Sequence, residues 1–191
     1  MKIGIDIDEV LARFLPAIIE YHNETYDTSL KNRDFKTYNL WESWGGTREE
    51  SIEKINDFFK TDYFKKIKPL PGAQKATRIL KENNDLSIIT SRKEEIAKET
   101  EYWVDQHFPN IFSEIYFAGH YFSNGQNSKT KRQICDSLDV DILIEDNLEY
   151  ALECLSPKRK VLLFDYPWNR EIELPHGIKR VYSWRDVMNN I

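Results

Sequence analysis

Short apolar runs that alternate with helix-period segments constrain this chain more than any other feature of its sequence. Strands are expected over residues 3–8, 85–90, 114–118, 140–145 and 161–165, with a short sixth around 179–182. Helical patterns cover residues 12–26, 94–107, 128–138 and 148–155, and a last helix follows Ser183, a suitable N-cap. Short apolar strands separated by helices need a parallel sheet with both faces covered. The expected fold class is therefore α/β, a Rossmann-like parallel sheet flanked by helices.

One interval breaks the rhythm. A strand–helix–strand unit needs roughly 30 residues, and the stretch between the first two strands uses more than twice that. Within it, Thr47-Arg48-Glu49-Glu50 is a capping box that leads into Ile52, Ile55, Phe58 and Phe59. Phe35, Tyr38, Trp41, Trp44, Tyr63 and Phe64 crowd the same interval, which closes at Pro69-Leu70-Pro71-Gly72. Pro71 suits the start of the next helix. Residues 15–70 thus read as a small helical cap inserted after the first strand, with a core made of residues 1–14 and 71–191. A cap above a sheet edge is placed to exclude water during chemistry. An exposed aromatic face on it would support a homodimer.

The 191 residues carry a formal net charge of −5 and 40% apolar side chains, enough for one packed core. The acidic balance argues against a nucleic-acid-coating protein. No run approaches the ~20 apolar residues that a membrane span needs, and the N-terminus opens on a strand pattern with no signal-peptide pattern. Cys135 and Cys154 fall on apolar helix positions and read as buried free thiols of a reducing compartment. The expected setting is cytoplasmic, with no nucleic-acid or membrane partner.

The chemistry concentrates where strands end. In an open parallel sheet, ligands bind outside the carboxyl ends of the strands. The first strand ends in Asp6 and Asp8, which period-two alternation places on one side. Two such carboxylates repel unless a cation or proton lies between them. The second strand ends in Thr90-Ser91-Arg92 and the fourth in Glu145-Asp146-Asn147. Lys129 and Lys131 begin the helix before the fourth strand, with Ser128 as its expected cap. Carboxylates, a hydroxyl and an ammonium on one rim suit phosphoryl transfer. The carboxylates can hold Mg²⁺, a hard cation that takes oxygen ligands. An aspartate can attack phosphorus to give an aspartyl-phosphate. Thr90 can donate to phosphate oxygens, and a lysine balances the negative charge.

Asp6-Ile7-Asp8-Glu9-Val10-Leu11-Ala12, Ile88-Ile89-Thr90-Ser91, an upstream lysine and Leu143-Ile144-Glu145-Asp146 together resemble the four motifs of the haloacid dehalogenase-like (HAD) phosphatases. The closer resemblance is to the 5′(3′)-deoxyribonucleotidase branch. It is carried also by Pro69-Leu70-Pro71-Gly72-Ala73, Tyr102-Trp103-Val104-Asp105-Gln106-His107 and Leu163-Phe164-Asp165-Tyr166-Pro167-Trp168-Asn169-Arg170. The likeness covers nearly the whole chain and is weakest in the cap.

The resemblance implies a HAD-like fold and a Mg²⁺-dependent phosphomonoesterase whose partner is a small-molecule phosphomonoester, a nucleotide. Asp6 would be nucleophile and metal ligand. Asp8 would be acid/base, its backbone carbonyl on the metal. Thr90 and Ser91 would bind the phosphate, and Glu145 and Asp146 would complete the metal shell. Glu145 departs from the branch, which often has aspartate there. The motif lysine is Lys131, with Lys129 as second choice. Phe14, Trp41 and Trp44 are candidates to stack on a base, although cap packing would equally explain the tryptophans. Arg92 meets either a phosphate or solvent, and Trp168-Asn169-Arg170 either lines the site or closes a loop. Two other functions stay open: a phosphatase of a non-nucleotide metabolite, and a non-catalytic phospholigand-binding module.

Overall fold

In a computed structural model of the chain, residues 1–119 and 129–191 are described. The sheet is built around Lys2–Ile5 (β1), the first strand and one of the two central ones. Asp85–Thr90 (β2) and Ile115–Phe117 (β3) lie on one side of it. Ile142–Glu145 (β4), Lys160–Phe164 (β5) and Ile178–Val181 (β6) lie on the other. Among the described residues the order is β3-β2-β1-β4-β5-β6, with every pair parallel. The chain runs one way from β1 to β2 and the other way from β1 to β4. That reversal opens a crevice at the carboxyl ends of these strands.

The central strands are apolar on both faces because helices cover both. Ile3 and Ile5 lead into one core cluster, whereas Ile89, Leu143, Val161 and Leu163 enter another. Gly4 faces the second cluster, where a Cβ would come within 2.8 Å of the Ile89 side chain. The close passage of β1 across that layer therefore needs glycine.

Between β1 and β2 the chain forms Phe14–Tyr26 (α1), Leu40–Trp44 (α2), Arg48–Phe59 (α3) and Asp62–Lys65 (α4), then returns through Ala73–Lys81 (α5). The Thr47 capping box forms as expected, with Thr47 accepting from the Glu50 N–H and Glu50 accepting from the Thr47 N–H. Phe58 is the hub of this segment, 5.4 Å from the Phe14 ring, 5.6 Å from Tyr21 and 5.9 Å from Phe64. The outgoing and returning connections run side by side, since the Arg13 N–H donates to Lys68 O and the Leu70 N–H to Leu11 O.

The remaining helices are Ala97–His107 (α6), Lys131–Ser137 (α7), Leu148–Cys154 (α8) and Trp184–Met188 (α9). Ser183 caps α9, as expected. Ser128, the expected cap of the helix before β4, lies outside the described residues. That helix starts later, and Thr130 caps it by accepting from the Gln133 N–H. Pro71 also lies two residues ahead of Ala73, the first residue of α5, rather than at the helix start. Gly72, at φ 87°, is the N-cap of α5; the left-handed turn is one that a residue without a Cβ adopts readily. No helix among the described residues is long and apolar enough to cross a membrane.

Candidate active site

β1 stops at Ile5, so Asp6 stands just beyond the strand, its N–H still bonded to Ile144 O at 3.0 Å. Next to it β4 ends in Glu145, followed by Asp146. Oxygens of Asp6, Glu145 and Asp146 lie within 4.8 Å of one another, and all three residues are buried. Lys131 opens α7 and points its ammonium into this group. Its Nζ donates to Asp6 Oδ1 at 2.7 Å and to Glu145 Oε2 at 2.9 Å, and it lies 4.7 Å from the centre of the Tyr150 ring. Lys129 is exposed, so the structure separates the two lysines that the sequence left in competition.

The electrostatics follow from burial. Desolvation raises the pKa of Asp6 despite the nearby Lys131, and Asp8 adds to the rise. Burial pushes Glu145 up to about 7 and lifts Asp146 well above the usual carboxylate range. Burial works against the Lys131 ammonium, but the Asp6 and Glu145 carboxylates outweigh it and carry its pKa well above the ordinary lysine value. One buried ammonium therefore faces three buried carboxylates. A hard divalent cation is the group that such an oxygen-rich, under-neutralised pocket fits.

Thr90 ends β2 beside β1 and is buried at the same rim. Its Oγ1 accepts from the Arg92 N–H at 3.2 Å. Ser91 follows, close to the Tyr150 side chain. Asp8 does not join the three-carboxylate group. Its carboxylate turns to Arg92, which donates from Nε to Oδ2 at 3.0 Å and from Nη2 to Oδ1 at 2.6 Å. Arg92 is therefore buried and engaged with a protein carboxylate rather than with solvent.

Above the rim lies a cavity lined by Asp8, Ser91, Arg92 and Asp146 on the sheet side and by Phe14, Phe35, Tyr38 and Phe59 from the segment after β1. Trp168 closes it from the loop after β5. The Trp168 ring stacks on Tyr166 at 4.6 Å, and Tyr38 approaches the Trp168 ring edge-on at 6.4 Å. Of the aromatic residues singled out from sequence, Phe14 lines this cavity. Trp41 and Trp44 do not. Trp44 lies flat on His22 at 4.8 Å and packs among the inserted helices, because α2 turns it inward toward α1.

The contacts of three residues were not read from the sequence. Tyr38 is carried to the cavity by an irregular stretch with no periodicity to read. Glu9, at φ 58°, has its carboxylate turned back to accept from the Leu15 N–H at 2.7 Å, so it caps the first turn of α1 from outside the helix. Asn169 is fully buried and donates from Nδ2 to both Asp146 O and Phe164 O at 2.8 Å, which clamps the backbone of Asp146. The Asp165-Tyr166-Pro167-Trp168-Asn169 run was the only signal for it.

The family model described as 5′ nucleotidase, deoxy (Pyrimidine), cytosolic type C protein matches residues 1–191. A nucleotidase of Clostridium acetobutylicum is 27% identical over 98% of this chain and 91% of its own length. A 5′(3′)-deoxyribonucleotidase of Bacillus subtilis is 23% identical over 97% of this chain and 95% of its own. Among solved structures, a haloacid dehalogenase-like family hydrolase of Streptococcus pneumoniae superposes with a TM-score of 0.69 at 12% identity, covering 99% of this chain and 97% of that one.

Proposed function

This chain belongs to the cytosolic type C 5′-nucleotidase family and is a phosphoric monoester hydrolase with a HAD-like fold, and on that footing we propose that it dephosphorylates (deoxy)nucleoside monophosphates through an aspartyl-phosphate at Asp6, with Mg²⁺ as cofactor. The observation that carries this reading is the junction of two environments: a buried acidic group around Lys131 and an aromatic cavity that shares Asp146 with it.

Asp6, Glu145 and Asp146 would hold the ion together with the Asp8 backbone carbonyl. Bound Mg²⁺ supplies positive charge against the phosphate and the anionic nucleophile. Lys131 anchors Asp6 Oδ1, which orients the carboxylate for attack. The Asp6 oxygen forms a bond to phosphorus, the ester P–O bond breaks, and Asp8 gives a proton to the departing alkoxide. Water then attacks phosphorus, Asp8 takes its proton, and the acyl phosphate bond opens to free Asp6 and inorganic phosphate. Thr90 and Ser91 would donate to the phosphate oxygens.

The segment 15–70 acts in this reading as a cap over a core of residues 1–14 and 71–191. Phe14, Tyr38 and Trp168 offer apolar faces to a base. The deoxyribonucleotidase relatives support a nucleotide over a sugar phosphate. The test is phosphate release with Mg²⁺ from a panel of ribo- and deoxynucleotides, 5′ and 3′, set beside sugar phosphates. The expected ranking has a nucleoside monophosphate first. Preference for a sugar phosphate would assign a non-nucleotide substrate, and no release from any member would remove the catalytic reading.

A further inference from the structure

Arg92 reaches both the Asp6-x-Asp8 turn and the inserted helices. Its side chain is 2% exposed, against 28% for its partner Asp8. The guanidinium forks onto both carboxylate oxygens of Asp8, and its third nitrogen, Nη1, lies 3.4 Å from Thr100 Oγ1 in α6. Its guanidinium carbon lies over two rings, 5.0 Å from the Phe64 centroid of α4 and 5.9 Å from the Trp103 centroid of α6. Trp103 in turn donates from Nε1 to Ile67 O at 2.7 Å, on the path back from the inserted helices.

A residue fixed on every edge is poorly suited to chase a phosphate. It is well suited to hold a carboxylate in one orientation, because a planar fork matches a carboxylate bidentately and loses little freedom when both bonds form. Each carboxylate oxygen has two lone pairs, so the fork leaves lone pairs of Asp8 unused, and Asp8 also lines the cavity.

From this geometry we propose that Arg92 is a positioning residue: it aims Asp8 at the leaving-group oxygen and ties that aim to the seating of the inserted helices through Phe64 and Trp103. Arg92 does not bind the transferred phosphate. This inference rests on the proposed phosphatase reaction and on Asp8 as its acid.

The experiment compares two leaving groups. A nucleoside monophosphate expels a basic alkoxide and needs the acid, whereas p-nitrophenyl phosphate expels a weakly basic phenolate and needs it little. In Arg92→Lys and Arg92→Gln, kcat/KM on the nucleotide should fall by about 10²-fold, the scale of a misaligned general acid. On p-nitrophenyl phosphate it should fall less than about 3-fold, and the inhibition constant of inorganic phosphate should stay within the same factor. A thermal melt confirms that the variants are folded, and Arg92→Lys keeps the charge should Arg92→Gln fail that check. An equal loss on both substrates, or a weakened phosphate inhibition, would overturn the inference in favour of direct phosphate contact or a general structural role. Wild-type protein inactive on both substrates would instead remove the underlying phosphatase reading.

Discussion

Lys131 Nζ lies 2.7 Å from Asp6 Oδ1 although 125 positions separate them in the chain. The same ammonium also holds Glu145, so one side chain cross-links the ends of β1 and β4 at the point where the sheet reverses direction. The pair is buried on both sides. Its value to the fold is conditional: it neutralises part of a carboxylate group that would otherwise repel itself.

Lys131→Ala should therefore damage stability as well as turnover. Removing one partner of a buried ion pair leaves uncompensated charge and costs about 3–5 kcal/mol. Chemical denaturation should show the loss, and Mg²⁺ should recover part of it by occupying the same carboxylates.

Asp6→Asn tests chemistry apart from folding. The substitution removes one negative charge from the buried group and keeps the shape. Turnover should drop by about 10⁴-fold or more, with a melting temperature equal to or above that of the wild type. Retained turnover would exclude the covalent route.

Metal removal makes a third prediction. Exhaustive chelation should abolish phosphate release, and added Mg²⁺ should restore it. Mg²⁺ should also raise the melting temperature, since binding stabilises the fold by about 2.7 kcal/mol at a hundredfold excess over its dissociation constant. Asp146→Asn should lose that stabilisation.

The aromatic cavity predicts a split between two residue sets. Phe14→Leu should raise KM for a nucleoside monophosphate by about 10-fold, the scale of a lost base–aromatic contact, without changing inhibition by inorganic phosphate. Trp41→Leu should change neither, since Trp41 does not line the cavity.

His22 gives a pH prediction inside the inserted helices. Burial, reinforced by Lys54, lowers its pKa to about 4. The ring bonds Thr28 through Nδ1 at 2.9 Å and meets Lys54 Nζ through Nε2 at 3.3 Å, an arrangement that suits the neutral imidazole. The folded pKa is below the unfolded value of about 6.5. The stabilisation is thus complete above pH 6.5 and is lost as pH falls toward 4. The stability of the wild type relative to His22→Gln should decline by about 1–2 kcal/mol between pH 7 and pH 4.5, read from denaturation curves at both values.

What the residues disclosed in advance follows a physical divide. Strand–helix alternation is local, and β2 coincides with its expected bounds. The shared rim of Asp6, Thr90, Glu145 and Asp146 was legible because strand ends in a parallel sheet converge by topology alone, whereas Lys131 opens α7 and was singled out by the family resemblance. The partner of Arg92 was not legible. Its choice of Asp8, 84 positions away, depends on how α6 and α4 enclose the guanidinium. Which of the two alternatives held for the tryptophans, packing or the cavity, was not legible for a similar reason. A five-residue helix, α2, has too few turns to reveal which side faces inward, so Trp44 could be found on His22 only with the tertiary structure in hand.

The central claim is a covalent bond between Asp6 and phosphorus. Acid-quenching the enzyme during turnover of a deoxynucleoside monophosphate with Mg²⁺, then reducing with borohydride, converts an acyl phosphate to the alcohol and marks its position. Peptide mass mapping should find homoserine at position 6, and only when substrate is present. Turnover with an unmodified Asp6, or with the reduced residue at another carboxylate, would contradict the account.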